Sequence, residues 1–499
     1  MEIQRYVQIH PNDNVLVALE TISKGEVILH SSETICLKDT IPKGHKFSIS
    51  NIEEEDTIVK YGYPIGKATQ AISKGMHVHT HNMKTSLQDE EKYAYSPVVH
   101  HSPFEKKENL TFQGYKRENG EVGIRNEVWI VNTVGCINKV AENLAKLANS
   151  QFAAPNFDGF HHFSHPYGCS QLGDDLTYTQ KILADLVQHP NAGGVLVIGL
   201  GCENNYIDFF KKSIHALDLK RIKFLNVQEV EDEMELGLEL LEELFAYVTA
   251  FKRTSVPISC LKVGLKCGGS DGFSGITANP LLGTFSDQLI AHGGTTVLTE
   301  VPEMFGAETI LMNRSKNEEV FEKTVRLIND FKHYFMKYNQ PVFENPSPGN
   351  KQGGITTLEE KSLGCIQKGG FAPVQDVLQY GDRVTSQGLH LLQGPGNDLV
   401  SVTALAASGC QIVLFTTGRG TPFGGPTPTI KVSTNSALFH KKKNWMDFNA
   451  GSLVEGATMT EVASQFFSYI LNVAEGKSRT NNERNGFREI AIFKDGVTM

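Results

Sequence analysis

Histidine recurs at every second position between Met76 and Asn82, so His77, His79 and His81 project from one face of an extended segment, with Val78 and Thr80 on the other. Imidazoles, with an ordinary pKa of about 6.5, suit proton transfer at neutral pH or metal binding; a solvated edge strand rich in histidine is the competing reading. Cysteine recurs on a longer period: Cys136, Cys169 and Cys202 are 33 residues apart in both intervals, and each follows a glycine. If the strands before them are neighbours, roughly 5 Å apart, three thiols crowd one edge of a sheet. A third group stands in glycine-rich loops after apolar runs: Asp271, Glu300, Asp398 and Arg419, with Asn397 beside Asp398. Carboxylates there suit a divalent cation, and a guanidinium among glycine N–H groups suits a carboxylate ligand. Glycines after a strand also simply make turns, which is the plain alternative for each loop.

These residues are positioned by a recurring unit. The run from Gly193 to Gly199 is β-branched and apolar, the pattern of a strand buried on both faces of a parallel sheet. It ends at Gly-Leu-Gly-Cys202, and Tyr206, Ile207, Phe210, Ile214 and Leu217 then follow at helical spacing. Val128 to Val134 and Phe160 to Tyr167 read as two more such strands, each running through Gly-Cys into an apolar-striped helix. Ligands of open α/β sheets bind at the carboxyl ends of their strands, where the cysteines lie. An acidic amphipathic helix follows, with Met234, Leu238, Leu241, Phe245 and Val248 on its apolar face.

Further on, the spacing predicts strands at Leu261 to Leu265, Thr295 to Thr299, Leu389 to Leu392 and Ile412 to Thr417, a long helix through Val320 to Phe335, and a last helix at Met459 to Ala474. Gly349 to Gly370 reads as a loop or lid by composition. Upstream, residues 1–88 read as a small all-β module punctuated by three Lys-Gly turns, at Gly25, Gly44 and Gly75. Residues 89–112 show neither period and read as a linker. The remainder divides into α/β parts at 113–255 and 256–499.

With 499 residues, 40% hydrophobic and 21% charged, the chain has the composition of a soluble protein of several domains. Its net charge of −9 argues against nucleic acid as the main partner, while a local basic pocket still accommodates a small anion. The opening residues lack a signal-peptide pattern and no apolar run approaches the ~20 residues of a spanning helix, so neither secretion nor a membrane partner is expected. Six of the eight cysteines adjoin a glycine, which suggests loops in a reducing cytoplasm and not a disulfide framework. Gly199-Leu-Gly-Cys-Glu-Asn204 lacks the third glycine of a dinucleotide fingerprint.

The blocks GMHVHTHN, GEVGIRNEVWIVNTVGC, HPYGCSQLGDD, GVLVIGLGCENN, LKCGGSDGFSGITANP, TEVPEMFGAE, ENPSPGNKQGGITTLEEKSLGC and FTTGRGTPFGG resemble, in this order, the altronate/galactarate dehydratase family of sugar-acid dehydratases. The resemblance implies a β-clip N-terminal domain, a linker, an α/β middle part and a Rossmann-like α/β C-terminal part. It also implies dependence on ferrous iron or manganese, a sugar-acid substrate and a homo-oligomer. The implied reaction removes water across C2 and C3 of D-altronate to give 2-dehydro-3-deoxy-D-gluconate; galactarate dehydration is the near alternative. On this reading His79 or His81, with His77 beside them, moves protons. Arg419, Asn82 and Asn397 hold the substrate, and the metal lies either on Cys136, Cys169 and Cys202 or on Asp271, Glu300 and Asp398. Iron–sulfur and nicotinamide oxidoreductases are more distant alternatives, and a non-catalytic sugar-acid sensor is the least favoured.

Overall fold

The computed structural model describes residues 5–87, 92–98, 104, 110–215 and 217–499. The expected linker lies largely outside the described residues; its described part docks, with the Tyr93 hydroxyl donating to Glu308 at 2.6 Å. The strand Thr111–Lys116 begins within its last residues and pairs antiparallel with Arg253–Pro257, so one small sheet ties the entry and exit of the middle part together.

The N-terminal strands form a module built on an antiparallel sheet in the order Tyr6–Val7, Val15–Ala18, Lys46–Ser48, His77–Val78. Gly25, Gly44 and Gly75 all turn with φ between 82° and 86°, as the Lys-Gly punctuation requires. Leu16, Ile22, Ile35 and Phe47 make the module's own core, while Ile58, Ile65, Val78 and Met83 pack into the main core of the chain. The module is therefore apolar on two sides, one of them turned to the rest of the molecule.

In the middle part Glu127–Asn132 lies between Phe160–His162 and Ala192–Gly199, with Ile222–Asn226 outside, all parallel. Every residue of Ala192–Gly199 is buried. Alternation explains why: Leu196 and Ile198 face Leu144, Leu241 and Leu244 of the flanking helices Asn138–Gln151 and Glu233–Thr249. Val195 and Val197 face Ile182, Leu183 and Leu186 of the helix Gly173–Val187. The helix expected through Leu217 is cut short at Ile207–Phe210 and a following turn at Lys211–Ser213, and Leu217 is 45% exposed.

The C-terminal part is a seven-stranded parallel sheet in the order Val374–Leu378, Gly388–Leu392, Thr295–Leu298, Lys262–Cys267, Ile412–Thr417, Thr429–Ser433, Phe448–Asn449. The chain leaves Lys262–Cys267 toward one edge and returns past it to build the other. Loops from Lys262–Cys267, Thr295–Leu298, Gly388–Leu392 and Ile412–Thr417 thus meet at a crevice, the place where such sheets hold ligands. The Gly349 to Gly370 stretch is not the loop its composition suggests. It forms the helices Pro348–Gln352 and Leu358–Cys365, started by a capping box at Ser347 and by Thr357, and the second is buried along its whole length. Among the described residues no helix is long and apolar enough to cross a membrane.

Candidate active site

The strand containing the histidine row stops at Val78, and a turn follows in which the Asn82 amide donates to His77 O at 2.9 Å and accepts from His79 N at 2.9 Å. Asn82 is fully buried, and its amide is engaged in holding the turn. The turn nevertheless keeps the rings together. His77 lies 5.4 Å from both His79 and His81 by ring centroid, and a fourth ring, His45, lies 5.1 Å from His77 and 5.0 Å from His79. Val78 is fully buried on the opposite side.

The partners fix the tautomers. His45 Nε2 is 3.1 Å from Gln352 O, a carbonyl that can only accept, so in the neutral ring this nitrogen carries the proton and Nδ1 accepts from His77 Nε2 at 3.0 Å. The same argument at His79, whose Nε2 is 2.9 Å from Lys351 O, leaves the Nδ1 lone pair toward the exposed Thr80 hydroxyl at 3.1 Å. Burial, then the neighbouring imidazoles, press His77 down to about 3; burial and the Lys46 ammonium press His79 down to about 4. Both rings are neutral at physiological pH.

Under the rings lies a buried ion triad. Glu360 accepts from Lys46 at 2.8 Å and from Lys60 at 2.7 Å, and all three side chains are at most 2% exposed. Burial opposes ionisation of Glu360, but the two ammonium groups hold it at about 2; burial brings Lys46 down to about 8 against the pull of Glu360. The module reaches this far into the C-terminal part because backbones touch. A Cβ on Gly272 would stand 2.0 Å from Gly44 O, and one on Gly354 would stand 2.2 Å from the same oxygen.

Arg419, exposed at the end of Ile412–Thr417, donates to Gly349 O at 3.1 Å and Gln352 Oε1 at 3.2 Å. It therefore grips the same short helix whose carbonyls hold His45 and His79, so the guanidinium and two of the histidines are anchored on one element. Asp271 lies beside it, accepting from Thr434 Oγ1 at 3.0 Å, Asn435 Nδ2 at 3.2 Å and Ser274 Oγ at 3.2 Å, while burial raises its pKa. Asn397 caps the helix Asp398–Ala407, accepting from Leu399 N and Val400 N, which accounts for its side chain structurally.

The oxygen-rich set does not close around an ion. Lys266 occupies the place expected for the cation: its ammonium is 2.6 Å from Glu300 and 2.7 Å from Asp398, with Asp271 held separately by its own donors. Glu300 adopts φ 74°, a left-handed conformation rare for its residue type, where it also accepts from Cys267 N at 2.9 Å. Among the described residues one group of potential ligands does converge, Cys267, Glu303 and Cys365, with ligand atoms within 4.8 Å of one another. Lysines already satisfy it: Lys368 Nζ is 2.8 Å from Cys267 Sγ and Lys361 Nζ is 2.8 Å from Glu303. A hydrogen bond with the Cys365 thiol and burial push the Cys267 thiol well above its ordinary value. A ferrous or manganous ion that meets substrate needs an open position, and this enclosed cluster, whose Glu303 carboxylate is already taken by Lys361, offers none. Cys136, Cys169 and Cys202 lie elsewhere, all exposed, and do not approach one another closely enough to share one ion.

His45, Lys46, Lys266 and Glu360 escaped the reading of the sequence. The signal was present: Lys46 and Lys266 sit within or beside apolar strand residues, where a lysine must be buried and therefore paired.

Three family models match along the chain: "Altronate/galactarate dehydratase SAF domain" over residues 4–86, "D-galactarate dehydratase/Altronate hydrolase, second domain" over 114–249, and "D-galactarate/Altronate dehydratase, C-terminal" over 258–498. The chain is 57% identical over 500 residues to an altronate dehydratase of Bacillus subtilis (strain 168), covering 100% of both chains. It is 51% identical to an altronate dehydratase of Escherichia coli (strain K12), covering 99% of this chain and 100% of that one. To a galactarate dehydratase (L-threo-forming) of Escherichia coli (strain K12) it is 32% identical, covering 98% of this chain and 96% of that one. The chain belongs to the altronate/galactarate dehydratase family and is a hydro-lyase.

Proposed function

We propose that this protein dehydrates D-altronate to 2-dehydro-3-deoxy-D-gluconate at the mouth shared by the histidines and Arg419. The observation that carries the reading is the four-ring histidine cluster anchored, like the exposed Arg419 guanidinium, on the helix Pro348–Gln352, in a chain 57% identical to an altronate dehydratase over its full length. Arg419 receives the substrate carboxylate as a planar pair of donors. His79 takes the C2 proton on Nδ1, the nitrogen turned to the exposed Thr80 hydroxyl. A ring held near pKa 4 is reliably unprotonated but a weak base; the bound carboxylate's negative charge raises it toward the working pH. His81, exposed at the edge of the cluster, protonates the departing C3 hydroxyl, and the enol then becomes the keto acid. His45 and His77 fix the rings' orientation.

Metal dependence belongs to the family expectation; the oxygen set, filled by the Lys266 ammonium, and the buried thiol set both fit a single ion poorly. The reading is tested by incubating the anaerobically purified protein with a panel of hexonates and hexarates and measuring 2-keto acid. Altronate should be turned over best. Preference for galactarate would move the protein to the other branch of the family, and no turnover of either would end the proposal.

A further inference from the structure

The geometry points to a binding site for a [4Fe–4S] cluster on the carboxyl edge of the middle sheet, ligated by Cys136, Cys169 and Cys202. The three cysteines occupy equivalent places in three βα loops. Because Glu127–Asn132 lies between Phe160–His162 and Ala192–Gly199 in a parallel sheet, those loops leave three adjacent strands, the strand before Cys136 in the middle. They are also bound to one another. Gly135 N donates to Tyr167 O at 2.9 Å, Asn205 N to Gly168 O at 3.1 Å, Ser170 N to Asn204 Oδ1 at 2.8 Å and Asn205 Nδ2 to Thr133 O at 3.1 Å. A Cβ on Gly168 would stand 1.9 Å from Thr133 O, so only glycine lets the second loop lie against the first.

The edge carries polar groups that the protein alone leaves unsatisfied. Asn132 Oδ1, Asn205 Oδ1 and Gln171 Nε2 are buried without a hydrogen-bond partner among the described residues, and all three side chains belong to the loops or strand ends that bear the cysteines. Buried polar atoms of this kind mark a missing ligand or water. Ser170, next to Cys169, holds φ 57°, and Gln228 Nε2 stands 3.6 Å from Cys202 Sγ, a donor of the sort that tunes cluster sulfur.

The spacing of the thiols excludes a single ion shared by all three. Two sulfurs on one ion, each about 2.3 Å from it, cannot be more than about 4.6 Å apart. The three thiols do not form a group within 4.8 Å, and none is in a disulfide. Ligands of a cluster sit on different irons and are spread farther, while three cysteines leave the fourth iron without a protein ligand, open to an oxygen ligand from solution. The thiols are exposed, as assembly from outside requires.

The full-length protein is reconstituted anaerobically with ferric iron and sulfide under dithiothreitol, desalted, and assayed for iron, acid-labile sulfide and visible absorption. About four irons and four sulfides per chain are expected. Cys136→Ser, Cys169→Ser and Cys202→Ser should each lower both contents by about tenfold or more, since loss even of a supporting partner costs a metal site that much. The Cys267→Ser/Cys365→Ser double variant should retain the cluster. Circular dichroism identical to wild type separates ligand loss from misfolding at these exposed positions. Iron bound without sulfide, no cluster in wild type, or a cluster kept by the triple edge variant but lost by the buried double variant overturns the assignment. These readouts do not depend on turnover, so a failed cluster and a failed dehydratase reading are distinguishable.

Discussion

At the residue scale the histidines are governed by burial and by one another. His77 and His79 titrate at about 3 and about 4, below the ordinary 6.5, so between these values the unfolded chain binds more protons than the folded one. Their contribution to stability is complete above about pH 6.5 and is lost as pH falls toward about 4. The same displacement places the acid limb of kcat/KM, which reports the unliganded protein, below about pH 5, while the limb of kcat moves up because bound carboxylate favours protonation. Coincident limbs near the ordinary imidazole value in both profiles would refute the assignment. His79→Asn or His81→Asn should lower kcat by about 10²-fold or more with an unchanged fold. Val78→Asp should instead unfold the module, since a buried unpaired charge costs several kcal/mol. Lys266 makes a contrasting case. Lys266→Ala leaves Glu300 and Asp398 without their shared cation and should destabilise the protein by about 3–5 kcal/mol in denaturant melts. Full restoration of stability by manganese would show that an ion can take the ammonium's place.

At the element scale the decisive piece is the buried helix Leu358–Cys365, which turns Glu360 to the module's lysines and Lys361 to Glu303. Glu360→Gln keeps the shape but leaves Lys46 and Lys60 without a counter-ion. Thermal stability should fall by several degrees, about 1–3 kcal/mol or more at a buried charged pair, and the pKa of His79 should move when followed by NMR. An unchanged melting temperature would mean that the triad does not hold the module in place. This helix also marks the limit of what the sequence discloses. Strands such as Ala192–Gly199 and Ile412–Thr417 are legible because burial on both faces demands an unbroken apolar run. Leu358–Cys365 has Glu359, Glu360, Lys361 and Ser362 inside the protein, so its pattern looks solvated and its flanking glycines look like a loop. Its charges are buried because their partners come from distant segments, and pairing at that separation leaves no local period. The histidine row was legible for the opposite reason: alternation is local, and it survives as ring contact even though the strand ends after Val78. His45 comes from the neighbouring strand's entrance, which spacing within one segment cannot register.

At the scale of the whole molecule the proposed mouth exists only when the N-terminal module and the C-terminal part are joined. The rings come from the first, while Arg419 and the Lys351 and Gln352 carbonyls come from the second. The contact is tight and polar at its centre, with Gly44 against Gly272 and Gly354, and apolar around it, with Ile58, Ile65, Val78 and Met83 entering the main core. The module also has a core of its own in Leu16, Ile22, Ile35 and Phe47, although a chain of this size buries little and is marginal alone. A protein divided after residue 88 and expressed as two chains should therefore yield a soluble but inactive module, and mixing the pieces should recover part of the turnover. Gly272→Ala in the larger piece should abolish that recovery, because its methyl group would overlap Gly44 O at 2.0 Å. Should the larger piece alone dehydrate altronate, the histidines are not the proton carriers, and the chemistry must be sought on the C-terminal loops and the thiol edge.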